Sequence, residues 1–220
     1  MNKMKTISKT ILLTAIAIVV LNCKKDDVVP IIPNWNYSTF TDSRDGKIYK
    51  YIQIGTQEWM AENLDFKTDS GSWNYWESDV YGSKYGRLYT WTAAMKAVPI
   101  GWHIPTDAEW KQLELTLGMD KIETDRIGIR GTTEGNKLKS VSGWNANENG
   151  TDEYGFSALP GGFRSNPGIY LELNGGIFMW SSTDDGNLQA YFRLIAAVSP
   201  RIGRGFGYKG DGYSVRCVKN

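Results

Sequence analysis

The stretch Pro105-Thr-Asp-Ala-Glu-Trp-Lys-Gln-Leu-Glu-Leu-Thr-Leu-Gly118 predicts a helix whose two ends are both marked in the sequence. Thr106 can accept a hydrogen bond from the backbone of Glu109, and the Glu109 side chain can reach back to the Thr106 amide, which is a capping box. Gly118 stands where a left-handed residue commonly ends a helix. The predicted apolar face consists of Trp110, Leu113 and Leu117. We therefore expect one amphipathic helix here, packed against the rest of a domain.

Upstream of this helix, the sequence predicts a hairpin and another helix. Residues 48–54 alternate apolar and polar side chains, which is typical of a strand. Gly55-Thr56 supplies a turn, and residues 57–60 supply the paired strand. Residues 88–98 carry large apolar side chains at helical spacing and predict the second helix.

Downstream of residue 120, the pattern changes to short strands separated by glycine-rich turns. The candidate strands are residues 154–159, 162–164, 178–181, 190–198 and 212–218. The segment 199–206 is cationic and rich in glycine, and we interpret it as a solvated loop, with binding of an acidic partner as the alternative. Two helices followed by a strand-rich half indicate an α+β domain.

The N-terminus has the parts of an export signal. Lys3, Lys5 and Lys9 precede an apolar stretch at residues 11–21. A membrane-spanning helix needs roughly 20 apolar residues, so this stretch is too short and has instead the length of a signal-peptide core. We assign residues 1–22 to a signal peptide.

The apolar stretch ends Val20-Leu21-Asn22-Cys23, which resembles a bacterial lipobox, although Asn22 stands where a small residue is usual. The resemblance implies that Cys23 is lipidated and anchors the chain in a membrane. Residues 23–37 then form a tether and residues 38–220 the domain. Residues 24–27, Lys-Lys-Asp-Asp, are similar to the tag that sends lipoproteins of Bacteroidetes type to the outer face of the outer membrane.

The net charge and the two cysteines limit which binding partners and which disulfides we expect. Without residues 1–22, which contain three Lys, the chain has 22 basic and 24 acidic residues, a net charge of 22 − 24 = −2. Nucleic-acid binding needs a basic footprint, so we expect no nucleic-acid partner. If Cys23 carries lipid, Cys217 has no disulfide partner within the chain.

Two loops carry candidate ligand residues. The first contains Trp73, Tyr75, Trp76, Tyr81 and Tyr85. These rings suit a sugar-stacking surface, but we expect most of them to turn inward as a small core, with one or two exposed. The second loop is a candidate calcium site, because calcium prefers oxygen ligands. Its residues are Asn147, Glu148, Asn149, Asp152 and Glu153. A polar loop with Asn and Asp turns explains the same pattern.

Catalytic chemistry has weaker support. Cys217 and the single histidine, His103, could form a nucleophile pair, but Cys217 alternates with Tyr213 and Val215 as a core residue would. The neighbouring acids Asp184-Asp185 and Asp152-Glu153 could serve a glycosidase, but solvated turns explain them better.

Six sequence blocks, in order, resemble those of the Fibrobacter succinogenes major paralogous domain, found in surface and secreted proteins of Bacteroidetes and related bacteria. The blocks are Ile54-Gly-x-Gln-x-Trp59-Met-Ala-Glu-Asn63-Leu, Tyr85-Gly-Arg-Leu-Tyr89-x-Trp91, Gly101-Trp102-His103-Ile-Pro105-Thr-Asp-Ala-Glu-Trp110, Gly155-Phe-Ser-Ala-Leu-Pro160-Gly-Gly-x-Arg164, Trp180-Ser-Ser-Thr183 and Ser214-Val-Arg-Cys217-Val. The resemblance spans residues 38–220 and implies no particular activity.

A more distant resemblance concerns the fold. Residues 105–110 and 161–164 are similar to segments of the formylglycine-generating enzyme family, whose domains are C-type-lectin-like. This implies two helices flanking a twisted antiparallel sheet, with long irregular loops.

These features predict a cell-surface lipoprotein of the outer membrane that acts as a non-catalytic binding module for a glycan or a host or matrix protein. A structural component of a surface appendage is one alternative, and a polysaccharide hydrolase is another. Fold alone does not decide between them.

Overall fold

The computed structural model describes residues 34–145 and 147–220. The predicted signal peptide, the lipidation site Cys23 and most of the tether lie outside the described residues. Within the tether, Trp35 and Tyr37 already contact the domain. The Trp35 ring lies against Gly155, and the Tyr37 hydroxyl lies 3.1 Å from the Ser157 hydroxyl.

The first sheet has five antiparallel strands in the order β1-β2-β3-β13-β6. Its strands are β1 (Ser38–Thr41), β2 (Ile48–Ile54), β3 (Gln57–Met60), β6 (Trp102–His103) and β13 (Val218–Lys219). Ile54 pairs with Gln57 across the Gly55-Thr56 turn, which confirms the predicted hairpin. The last strand thus lies between two strands from the first half of the chain.

The second sheet has six strands in the order β7-β12-β11-β10-β8-β9, antiparallel except for the β10–β8 pair. Its strands are β7 (Gly128–Arg130), β8 (Gly161–Arg164), β9 (Tyr170–Leu173), β10 (Gly176–Asp184), β11 (Gln189–Ala196) and β12 (Ile202–Tyr208). A two-stranded ribbon joins β4 (Ser72–Trp73) to β5 (Leu88–Tyr89).

The described residues form five α-helices, which together with the sheets confirm the α+β class. The helices are α1 (Asp79–Tyr85), α2 (Trp91–Ala97), α3 (Asp107–Thr116), α4 (Lys121–Asp125) and α5 (Glu134–Leu138), and a 3-10 turn spans Tyr75–Glu77. The capping box at α3 is formed as predicted, and Gly118 follows the helix with φ of +100°. The expectation of two helices was too low, because three helices are short and lack a long apolar period.

Four predicted segments were wrong. Residues 212–218 form isolated bridges at Gly212, Tyr213 and Ser214 and join a strand only at Val218. Residues 199–206 are not a solvated loop, since most of this segment belongs to β12 and Arg204 is buried there. Residues 154–159 form turns with one isolated bridge instead of a strand. Residues 88–98 divide into β5 and α2, because Thr90 caps the helix by accepting a hydrogen bond from the Ala93 amide.

Two apolar clusters form the core. One surrounds Trp59, Trp110 and Phe156, and the other surrounds Tyr89, Trp180 and Tyr213. Cys217 belongs to the second cluster with Val215, so its prediction as a core residue is confirmed. Among the described residues, no helix is long and apolar enough to span a bilayer.

Candidate ligand-binding site

A pocket of about 260 Å³ opens between β2, the C-terminal end of α1 and the segment that leads into β13. Three tyrosines line it: Tyr37, Tyr49 and Tyr85. The Tyr49 hydroxyl accepts a hydrogen bond from the Asp65 amide at 3.0 Å, which holds that ring in place. The pocket is therefore walled by aromatic rings fixed by the fold.

Arg216 lines this pocket and is only 1% exposed. Its Nε and Nη2 donate to Asn63 Oδ1 at 3.1 and 2.9 Å. Its Nη1 donates to the carbonyl oxygens of Met60 and Phe156, and the guanidinium lies 4.3 Å from the centre of the Phe156 ring. Burial lowers the pKa of Arg216 to about 10, so the side chain keeps its charge at neutral pH.

Asn63 connects this arginine to the wall formed by α1. Its amide nitrogen donates to the Tyr85 carbonyl at 2.8 Å, at the end of the helix. Gly86 follows with φ of +73°, and a Cβ there would lie 2.7 Å from the Leu64 carbonyl oxygen. Glycine is needed here for both its left-handed backbone and its lack of a side chain.

Lysines form the rim of the pocket. Lys50 and Lys84 are exposed, and their ammonium groups lie 5.7 Å from the Tyr37 ring centre and 4.8 Å from the Tyr85 ring centre. Lys47 forms an ion pair with Asp65. Among residues 34–145 and 147–220, Glu62 is the one acidic side chain that lines the pocket, and it accepts a hydrogen bond from the Lys50 amide at 2.8 Å. The pocket is therefore predominantly cationic.

The aromatic loop meets the pocket at Tyr85. Tyr75 and Tyr85 are buried, Trp73 and Tyr81 are half-buried, and Trp76 is 59% exposed. This matches the expectation that most rings turn inward. Tyr81 stacks on Tyr85 at 6.2 Å and meets Trp76 edge-on at 5.7 Å. A line of rings thus runs from the pocket to the protein surface.

The family model of the Fibrobacter succinogenes major domain matches residues 52–219. The chain belongs to this family. No curated protein and no solved structure matches the chain. The matched range of this family member includes Asn63, Tyr85 and Arg216, while Tyr37 and Lys50 precede it. The floor and one wall of the pocket therefore come from the family domain, and the opposite wall comes largely from the residues before it.

The predicted calcium loop lies partly beneath this pocket. Asp152 is buried and accepts hydrogen bonds from the Ser157 amide and hydroxyl at 2.8 and 2.6 Å. Burial raises the pKa of Asp152. Ser157 lines the pocket, so Asp152 supports it from below without lining it.

The other candidate calcium ligands have separate contacts. Asn149 Oδ1 accepts from the Trp144 amide at 3.2 Å, and Glu153 Oε1 lies 3.2 Å from the Thr151 hydroxyl. Asn147 is exposed, and Glu148 contributes its backbone carbonyl to Lys139 at 3.4 Å. Within residues 34–145 and 147–220, no group of three or more His, Cys, Asp or Glu side chains is arranged to hold a metal ion. The calcium site stays a prediction.

Cys217 and His103 differ in their surroundings. Burial raises the pKa of the Cys217 thiol to about 12, which disfavours the thiolate that a nucleophile requires. His103 is held between Glu109 and Asn220, each 2.7 Å from one of its ring nitrogens. These contacts place His103 at the capping box of α3.

The predicted acid pairs also have local partners. Asp184 forms an ion pair with Lys209 at 2.5 Å, and Asp185 accepts from the amides of Asn187 and Gln189. Neither acid lines the tyrosine-walled pocket.

Sequence reasoning missed the cationic part of the site. Arg216 stands in the alternating segment that was predicted as a strand, and nothing near it in sequence shows that Asn63 and Tyr85 would surround it. A charged residue within an otherwise apolar C-terminal segment was the available signal, because arginine is rarely buried without a partner.

Proposed function

We propose that the protein is a non-catalytic binding module at the cell surface and that its ligand is a glycan. The observation that carries this proposal is the pocket itself, which combines the half-buried Tyr37 ring with hydrogen-bonding groups and a base of buried side chains. Aromatic faces pack on the C–H groups of a sugar while polar side chains take its hydroxyls. The exposed Trp76 extends this surface outward through Tyr81.

A surface location supports this reading. The export signal and the lipobox-like segment ending at Cys23 favour a lipid anchor in the outer membrane, with the domain facing the exterior. Mass spectrometry of the native protein should find acyl chains on Cys23. An unacylated N-terminus would contradict the anchor and leave the pocket unaffected.

We also infer a C-type-lectin-like arrangement for the domain. The pairing of β13 beside β3 supports it, because this pairing brings the end of the chain back to its beginning, as does the abundance of irregular loops. An experimental structure whose strand order matches no lectin-like domain would contradict this inference.

A glycan array probed with the full-length chain in detergent tests the proposed function, with and without a calcium chelator. We expect binding to a restricted set of glycans, weakened by Trp76→Ala. Tyr208→Ala is the matched control, since Tyr208 is 60% exposed and belongs neither to the pocket nor to the line of rings formed by Trp76, Tyr81 and Tyr85. An array without hits, or equal loss in both variants, would count against this function.

Assembly into a surface structure is a second candidate. Strand β9 forms one edge of the six-stranded sheet, and Ile169 and Leu171 at this edge are 59% and 41% exposed. An apolar strand edge can accept a strand from another chain. Crosslinking on intact cells should then capture a surface protein through β9, and Leu171→Lys should prevent it.

A further inference from the structure

Arg216 is a buried cation without an acidic partner. Of the described carboxylates, none lies within 4.0 Å of its guanidinium, and its hydrogen bonds go to one amide oxygen and two backbone carbonyls. Glu62 and Asp152 attract it only from a greater distance. A buried charge is costly unless an opposite charge or polar groups compensate it.

The guanidinium also has donor capacity left. Arginine carries five N–H groups, of which two are on Nη2. The contacts with Asn63, Met60 and Phe156 use four of the five, and only one of them involves an Nη2 hydrogen. Among the described residues, the second Nη2 hydrogen has no acceptor, and the side chain that carries it lines the pocket.

The rim adds to the positive potential. Lys47, Lys50, Lys84 and Arg216 line the pocket against one acid, Glu62, so the lining carries a net charge of 4 − 1 = +3. Asp65 offsets Lys47, whereas the described structure gives Lys50 and Lys84 no ion pair. A cleft lined by one sign of charge concentrates ligands of the opposite sign.

We propose that this pocket binds an anionic oxygen group, a carboxylate or a sulfate ester, carried on a sugar ring. The anion accepts the remaining Nη2 hydrogen of Arg216 and faces Lys50 and Lys84, while the ring packs against the half-buried Tyr37. This inference rests on the proposed glycan-binding function and specifies its ligand class as acidic carbohydrate.

The pocket size restricts the ligand further. Its volume of about 260 Å³ is below the roughly 300–1,000 Å³ that is typical of pockets for drug-sized molecules. The pocket therefore accepts a single acidic sugar unit, and the rest of a chain extends across the surface towards Tyr81 and Trp76.

Binding of three matched oligosaccharides to the full-length chain in detergent tests this assignment. They end in glucuronic acid, in a sulfated glucose or in plain glucose, and free glucuronate and sulfate ions are tested beside them. We expect at least one acidic oligosaccharide to bind about ten-fold more tightly than the neutral one, with an affinity that falls steeply between about 0.05 M and about 0.5 M salt. Whichever of the two acidic oligosaccharides binds more tightly identifies the anion as a carboxylate or a sulfate ester.

The matched variants use exposed lysines, because substitution of the buried Arg216 endangers the fold. The double variant Lys50→Gln/Lys84→Gln should weaken acidic ligands about five-fold or more and weaken the neutral one by clearly less. Lys96→Gln is the control, since Lys96 is exposed and lines a different cavity.

The possible results test the glycan-binding function and the specificity for acidic sugars separately. Equal affinity for neutral and acidic oligosaccharides, or no effect of the double variant, overturns the acidic specificity and leaves glycan binding intact. Binding of free glucuronate or sulfate without any oligosaccharide supports the anion site and overturns the glycan function. Binding of none of these probes overturns both.

Discussion

The buried arginines of this protein have two different kinds of surroundings, one with carboxylate partners and one without. On the six-stranded sheet, Arg130, Arg193 and Arg204 come from three neighbouring strands and face two acids of α3. Glu114 receives two hydrogen bonds from Arg130 at 2.7 and 2.8 Å and one from Arg193 at 2.6 Å. In the pocket, Arg216 is equally buried, and none of the carboxylates that the structure describes lies beside it.

The second acid of α3 completes the compensated group. Asp107 binds Arg204 at 2.9 and 2.7 Å and Arg193 at 2.9 Å, and it also contacts Lys111 at 3.0 Å. Where a buried arginine holds the helix to the sheet, the fold thus provides a carboxylate. This contrast is the reason for proposing an anionic ligand beside Arg216.

The largest expected effect comes from removing a carboxylate from the compensated group. Glu114→Gln leaves the buried charges of Arg130 and Arg193 without their shared partner. We expect the free energy of unfolding to fall by about 3–5 kcal/mol. Chemical denaturation measures this change.

Glu123→Gln is the control for that substitution. Its ion pair with Arg126 lies at the surface, where such pairs contribute little. Equal destabilisation by the two substitutions would mean that burial does not distinguish the two ion pairs, and the comparison between the arginine groups would lose its basis.

The next largest expected effect is a loss of folding stability at low pH. Burial alone would raise the pKa of Asp107, but hydrogen bonds from Arg204, the attraction of Arg193 and the contact with Lys111 outweigh it and hold the pKa well below its usual range. The stabilisation is therefore complete above the unfolded-state pKa, about 3.9, and is lost as pH falls towards the folded-state value.

Asp107→Asn should accordingly lower the free energy of unfolding by about 3 kcal/mol at pH 7 and flatten its decline below about pH 4. Unfolding curves recorded between neutral pH and about pH 2.5 show this. A variant that loses stability in acid as steeply as the unaltered chain would place the acid sensitivity in other groups.

A smaller effect should follow from supplying the missing counter-charge. A ligand at ten times its dissociation constant stabilises the folded state by about 1.4 kcal/mol. We therefore expect the acidic oligosaccharide to raise the melting temperature by several degrees. The Lys50→Gln/Lys84→Gln variant should show a smaller rise at the same ligand concentration, and an equal rise would argue for binding elsewhere.

The smallest expected effect is on stability and comes from the N-terminal cap of α3, the helix that carries Asp107 and Glu114. Thr106→Ala removes the capping hydrogen bond to the Glu109 amide and should lower the free energy of unfolding by about 1 kcal/mol. Thr116→Ala, at the other end of α3, is the control because its hydroxyl donates to the Gln112 carbonyl inside the helix. If both substitutions have the same effect, the cap does not hold α3 in place.

Local rules predicted some elements because their signals lie within a few residues. The capping box, Gly118 and the 48–60 hairpin depend on neighbours in the chain, and all are confirmed. The same rules failed for residues 199–206. Their glycines and arginines resemble a loop, yet β11 pairs along this segment and α3 supplies Asp107 to Arg204.

The candidate site was predicted only in its outer part. The aromatic loop was found because five rings fall within 13 residues, and its mainly inward packing was expected. The cationic base was not found, since Asn63 and Arg216 are 153 residues apart. Lys50 and Lys84 likewise meet at one pocket only after β2 and α1 have packed.

The sequence by itself determined the family, the α+β class and the capped helix, because each depends on residue order or on contacts within one turn or hairpin, and the export signal stays a prediction from the sequence. The tertiary structure alone decided which buried arginines receive an acid and which one faces a pocket. That decision rests on contacts between residues distant in the chain, and a charged side chain has the same sequence signature whether its partner is a carboxylate of the fold or a ligand.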